Sequence, residues 1–314
     1  MHAPSRPIRR HHGRHVPSSP EITESPMRHL LARLLTILLL ALPVGVLAHP
    51  ALWVVKDADT TIYLFGTVHL LPNDVDWHFP ALDQALQQSQ SLYVEITDDE
   101  PAHMTTLVMR YGIDPAHPLS GLLTRKENAA LDAAAITAGV PGGSAALNVM
   151  RPWLAALTLT VAPLLKAGLD PAHGVDKQIK AQMEKAGKPV HGLETAEQQI
   201  RFLADMPPAM QLSFLRQTLR DTAKAQAELT ALIDAWKNGD TARLAQLENE
   251  DMQQYSPRLY RTLIVKRDKA WAGKIATLLK TPGTVFIAVG AAHLAGPDSV
   301  QAELKKMDIN AARL

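Results

Sequence analysis

Residues 284–296 read TVFIAVGAAHLAG, and this stretch decides the fold. Nearly unbroken apolar and β-branched residues run into Gly290, then Ala291, Ala292 and His293. The pattern reads as a buried strand whose carboxyl end turns sharply and presents an imidazole at the rim of a sheet. A strand apolar on both faces suits an α/β layer fold, where ligands collect outside the carboxyl ends of the strands. Residues 60–71, TTIYLFGTVHLL, are built the same way, with Gly66 and His69 in place of Gly290 and His293.

With 17 Gly and 13 His in 314 residues, Gly-x-x-His arises by chance roughly 0.7 times, so the spacing alone proves little. The informative part is the context, because both copies follow an apolar strand directly and both continue into Leu. Either histidine alone reads equally well as a satisfied strand-end residue; the pair points to one shared site.

Working outward, residues 52–55 and 60–66 form a hairpin around Asp57-Ala58-Asp59, and Pro80 opens a helix. Residues 91–96, SLYVEI, make a third apolar strand containing Glu95. Residues 101–280 are mostly helical and broken by Pro and Gly, with a short strand at 188–193 ending at Glu194. Within them, 209–237 is one amphipathic stretch, and 241–252 and 259–279 are further helices. Pro297 opens a helix over 297–307, and 309–314 is an edge strand. The fold class is therefore α/β: a central mixed sheet with paired strand-Gly-x-x-His units and a large, mostly helical insertion.

The amino-terminal region has a separate reading. Arg28, His29 and Arg33 precede LLTILLLALPVGVLA, an apolar run of secretory length with a small-residue cleavage pattern ending at Ala48. Residues 27–48 are thus expected to be a signal peptide, with 1–26 an over-called start, and 49–314 a single periplasmic or secreted domain. No membrane span is expected after cleavage. Removing the 6 basic and 2 acidic residues of positions 1–48 from totals of 32 and 31 leaves 26 and 29, a net charge of −3. That balance excludes a nucleic-acid-binding profile. The absence of Cys excludes disulfides, thiol catalysis and Cys-ligated zinc. Phosphate-loop, dinucleotide and serine-elbow motifs are also missing.

His69 and His293 lead the candidates, since imidazole ligates divalent metals and acts as a general base. Gly66 and Gly290 let the backbone turn tightly and leave room for a ligand. Glu95 is costly to bury unpaired, and if its strand neighbours 60–66 a His-Glu-His set results. Arg267, among Lys266, Asp268 and Lys269, reads by default as part of a solvated charged face; its functional reading is oxyanion stabilisation. Glu194 and Asp176 are weaker candidates, each also near a helix start.

These pieces together resemble the TraB/GumN family, which is related to the Tiki Wnt-inactivating proteases. The matching stretches are LFGTVHLL at 64–71, YVEI at 93–96, GVDKQIKAQMEKAGKPVHGLETAEQQ at 174–199, WKNGD at 236–240, KRDKAWAGKI at 266–275 and FIAVGAAHLAG at 286–296. The resemblance implies a site centred on His69, Glu95 and His293 with Arg267 close by. It implies metal dependence of the Tiki kind, favouring Mn or Co, while a His-Glu-His set by its own chemistry suits Zn, Mn, Fe or Co. One departure stands out: Asp268 occupies a position that is commonly Asn in the family.

The expected function is a secreted metal-dependent hydrolase of peptide or amide bonds, acting on a peptide or small-molecule substrate. His69, Glu95 and His293 would hold the metal, and Arg267 would face the oxyanion. Two alternatives are a metal-free esterase-like hydrolase, with His69 as base oriented by Glu95, and a non-catalytic haem-, metal- or glycan-binding protein.

Overall fold

The computed structural model describes residues 49–72, 75–221 and 225–314. The expected signal peptide and leader lie outside the described residues. Among the described residues no helix is long and apolar enough to cross a membrane.

Six strands form one sheet: β1 (Leu52–Lys56), β2 (Thr60–Thr67), β3 (Ser91–Val94), β4 (Val190–Gly192), β5 (Gly283–Gly290) and β6 (Ala311–Arg313). Their order is β4-β3-β5-β2-β1-β6. The first four in that order run parallel, and β1 and β6 add antiparallel at one edge. The β1–β2 hairpin closes on Asp57, whose Oδ1 accepts from the Thr60 amide at 2.8 Å and the Asp59 amide at 3.2 Å. A short acidic side chain satisfying the backbone two and three residues on is what makes such a turn cheap.

β5 is the apolar centre, with Phe286, Ile287, Ala288 and Val289 all buried. Alternate side chains serve opposite faces. Phe286 joins Phe65, Leu92 and Trp236 on one face; Ile287 and Val289 join Ile62, Leu64 and Trp271 on the other. Helices cover both faces: Pro80–Gln88, Val175–Lys185 and Ala225–Lys237 on the first, Lys266–Leu278 and Val300–Lys305 on the second. This double cover explains why β5 shows no polar alternation.

Several expectations need correction. β3 stops at Val94, so Glu95 lies one residue past the strand rather than within it. β2 and β3 are not neighbours, because β5 lies between them. The last helix starts at Val300 with Ser299 as its cap, the Ser299 hydroxyl accepting from the Ala302 amide, so Pro297 lies in the preceding turn. Within the 209–237 stretch the described residues are helical over Pro208–Asp221 and Ala225–Lys237, as expected. The stretches at 241–252 and 259–279 each contain a π-helical segment, Ala245–Glu250 and Arg261–Val265. Such widened turns recur at functional sites.

Neither Gly66 nor Gly290 has a positive φ, so turn geometry does not require them. Space does. A Cβ on Gly66 would lie 3.1 Å from the Ala291 Cα, and one on Gly290 would lie 3.2 Å from Glu95 Oε1. Gly66→Ala should therefore lower stability by about 1–3 kcal/mol, read from the urea midpoint. An unchanged midpoint would show that the β2–Ala291 approach has slack.

Away from the sheet, the helix Arg125–Ala138 is tied to Pro208–Asp221 by Glu127 and Arg216, 2.7 Å apart. The Arg216 hydrogen bond, then the Thr124 amide, hold the Glu127 carboxyl down to about 2. A carboxyl depressed on folding stabilises above its unfolded value, and that contribution fades as pH falls toward 2. Glu127→Gln should flatten the acid limb of the stability profile between those values; an acid limb identical to wild type would contradict the pairing.

Candidate functional site

The parallel register sets the site. Thr67 pairs with Gly290 and Val94 with Ala288, so β2, β5 and β3 end side by side. His69 follows β2 by two residues, Glu95 follows β3 by one, and Glu194 follows β4 by two. His293 sits on the 3-10 turn Ala291–Leu294 directly after β5. Four strand ends thus deliver four polar side chains to one carboxyl edge.

Arg267 binds them together. Its Nη2 meets Glu95 Oε2 at 2.6 Å and Glu194 Oε2 at 3.0 Å, and its Nε donates to Glu194 at 3.0 Å. Nη1 donates to the Leu263 carbonyl at 3.1 Å and lies 3.0 Å from His293 Nε2. The guanidinium rests over the Trp271 ring at 4.7 Å. Its side chain is only 10% exposed, so the solvated-face reading is overturned. A guanidinium has five N–H groups, and these contacts use all five. Arg267 has none left for an oxyanion, and its place is that of a positioning residue.

Glu95 is equally committed. Oε1 accepts from the Gly290 amide at 2.8 Å, and Oε2 accepts from Gln199 Nε2 at 2.8 Å as well as from Arg267. Burial pushes its carboxyl up, but His293, Arg267 and His69 outweigh that and bring it to about 2.

Asp268 turns inward with no exposed side-chain surface, its Oδ1 2.5 Å from His293 Nδ1. Burial raises its carboxyl to about 6 despite the His293 bond. The contact favours the tautomer with the proton on Nδ1, leaving Nε2 as acceptor for Arg267. His69 lies against Asp176, Nδ1 to Oδ1 at 3.2 Å, an ion-pair contact outside hydrogen-bond geometry. Desolvation in the cleft lowers the His69 pKa, but Asp176, Glu95 and Glu248 outweigh it and lift it to about 9. Its side chain remains 60% exposed toward the opening.

The fit to a metal rests on Gly290. A Cβ there would lie 3.2 Å from Glu95 Oε1 and 3.6 Å from His69 Nε2, so an imidazole nitrogen and a carboxylate oxygen face one small cradle. His293 presents its Cδ2 there, at 3.6 Å, because its Nε2 is held by Arg267. Among the described residues no three His, Asp or Glu side chains stand as a ligand cluster. The donors that fit an ion are His69 and Glu95, and His293 is turned away.

Three participants escaped the sequence reading. Gln199 bonds Glu95; Asn249, from the π segment Ala245–Glu250, donates to the Ala292 and Ala295 carbonyls at 2.9 Å each and fixes the His293 turn. Glu248 of the same segment lines the cleft. Asn249 and Glu248 stand four residues after the buried Ala245 and Leu244, a signal that helical spacing carries. His78, His103, His117 and His173 pair with carboxylates elsewhere and do not line the cleft.

Arg267→Met should destabilise by about 3–5 kcal/mol in chemical denaturation, since it leaves Glu95 and Glu194 buried without their cation. Wild-type stability in this variant would show that the two carboxylates are solvated.

Comparison with known proteins finds relatives by sequence. YbaP of Escherichia coli strain K12, described as uncharacterized, is 27% identical over 261 residues, covering 82% of this chain and 92% of that protein. The Shigella flexneri YbaP matches to the same extent. An uncharacterized Treponema pallidum protein is 20% identical over 266 residues, covering 79% of this chain and 78% of its own length. No solved structure matches. The family model for the TraB/PrgY/gumN family matches residues 51–313, which spans every strand and every side chain of the cleft, and the chain belongs to that family.

Proposed function

We propose that the chain hydrolyses peptide or amide bonds in the cleft at the carboxyl edge of the sheet, in the periplasm or outside the cell. The observation that carries this reading is the convergence on Gly290, where His69 Nε2 and Glu95 Oε1 face one point beside buried Arg267. The secretory pattern of residues 27–48 supports the location.

A divalent metal, as the family resemblance implies, would be held by His69 and Glu95. Such an ion supplies a water of lowered pKa and polarises the carbonyl. The chain's own residues do the rest. Asp176 lies beside His69, while Gly290 and Gln199 orient Glu95. Arg267 holds Glu95 and His293 in place and keeps bulk water from the carboxylates. In the reaction water adds to the carbonyl carbon, the C–N bond breaks, and the departing amine takes up a proton.

A metal-free form of the same hydrolysis is favoured by one observation. The Asp176 carboxylate lies 3.2 Å from His69 Nδ1, a neighbour that favours the ring as hydrogen-bond donor or acid. In this form Asp176, rather than Glu95, is the carboxylate beside His69 Nδ1.

The test is hydrolysis of a mixed peptide library, measured beside metal content, for the protein and for His69→Ala and Glu95→Gln. Both variants should lose about 10²-fold or more of the rate. Loss of a near-stoichiometric metal with it supports the metal-dependent form; chelator-resistant hydrolysis without metal supports the metal-free form. Undiminished hydrolysis by His69→Ala would remove this cleft as the reacting site.

A further inference from the structure

Apart from the cleft, the molecule carries a groove of about 670 Å³, roomier than the two cavities of about 300 and 360 Å³ at the carboxyl edge. None of its lining residues lines either of those cavities. Arg258, Arg261 and Lys266 supply its cations, and Phe202, Met206, Pro207 and Met210 its apolar surface.

The three cations come from one continuous helical run, 257–278. Arg258 and Arg261 are three residues apart and share a face. Arg261 and Lys266 are five apart, which in an α-helix would put them on well-separated faces. The π segment Arg261–Val265 alters that: the Lys266 amide bonds the Arg261 carbonyl, and the widened turn stacks the two residues. Aligning like charges opposes folding, yet among the described residues none of the three side chains makes a hydrogen bond or ion pair. The groove's carboxylate, Asp205, is taken by Arg201 at 3.0 Å. Residues 49–314 carry a net charge of −3, so general basicity does not account for this cluster.

The apolar side is fixed in place. Buried Gln211 donates Nε2 to the Ala204 and Met206 carbonyls at 3.0 and 2.9 Å, holding the turn that carries Met206 and Pro207. The Phe202 ring has the Arg267 guanidinium 5.5 Å from its centre. A preformed concavity of this size matches one small molecule, whereas a bilayer surface would meet only its rim. Three unpaired cations call for more than one negative charge. A phosphate monoester carries about −1.5 to −2 at pH 7 and offers three acceptor oxygens, which suit guanidinium forks better than a single carboxylate does.

We propose that this groove binds one organic phosphate with an apolar body. Arg258, Arg261 and Lys266 hold the phosphate, and the body lies against Phe202, Met206 and Met210. The site is independent of the hydrolase reading, since it shares no lining residue with the cleft cavities.

Calorimetric titration of the full chain with hexyl phosphate, inorganic phosphate, hexanoate and hexanol tests both halves of the site. Hexyl phosphate should bind about 10-fold or more tightly than each of the other three. Arg258→Gln and Arg261→Gln should each weaken it about 10-fold, and Met210→Ser should reduce its advantage over inorganic phosphate, with circular dichroism confirming that each variant is folded. His69→Ala should leave the binding unchanged. Hexanoate or inorganic phosphate binding as tightly as hexyl phosphate overturns the proposal, and so does binding that survives both arginine substitutions. Binding lost in His69→Ala moves the ligand to the cleft and overturns it as well. Co-sedimentation with vesicles of equal phosphatidylcholine and phosphatidylglycerol supplies the last arm. Arginine-dependent attachment to these vesicles without binding of hexyl phosphate would make the groove part of a membrane-facing surface and overturn the single-molecule site.

Discussion

A buried guanidinium is stable only when every donor finds an acceptor, and Arg267 meets that condition by drawing four elements together. Its partners come from the ends of β3 and β4, from the turn after β5 and from the π segment Arg261–Val265 that leads into its own helix. Desolvating one cation and two carboxylates carries a large penalty, and mutual attraction offsets it only in this geometry. The helix Lys266–Leu278 therefore has one angular setting over the sheet: apolar Trp271, Ala272 and Ile275 fill the face while Arg267 reaches the edge. The site and the packing of that helix are one constraint.

The position of β5 follows the same logic. Placed between β3 and β2, it brings Gly290 between Glu95 and His69, close enough that its amide bonds Glu95 and its missing Cβ leaves the cradle. Direct pairing of β2 with β3 would have put His69 and Glu95 on adjacent strand ends with no backbone between them. The second Gly-x-x-His unit thus supplies more than a histidine. Its glycine is the floor of the cradle.

The sheet was legible because its strands are short apolar runs with sharp ends, and the two Gly-x-x-His units marked the carboxyl edge where the candidate site lies. Strand order was less accessible, since parallel pairing is specified by helices packed on the faces and leaves no local mark at the strands. The charged run at 266–269 misled for a physical reason: neighbouring residues on a helix point in different directions. Asp268 lies three, four and seven residues before Trp271, Ala272 and Ile275, so the apolar stripe placed it inside, whereas Lys266 and Lys269 fall outside. Glu248 and Asn249 were signalled in the same manner by Leu244 and Ala245. Reading polar residues out of the apolar stripe hid them; in a functional protein those are the positions with the most to say.

Asp268 also shows how charge and geometry separate. Either Asn or Asp would accept the Nδ1 proton of His293 through one oxygen, so the ring orientation does not require a carboxylate. The carboxylate adds a negative charge sealed from solvent, with Oδ2 lacking any hydrogen-bond partner. Because Asp268 lies behind His293, that charge reaches the cleft through the imidazole rather than by touching a ligand. It acts in the same direction as Glu248 and Glu95, making the pocket more favourable for cations. The Asp268 carboxylate and Glu248 are then two expressions of one electrostatic bias in the cleft.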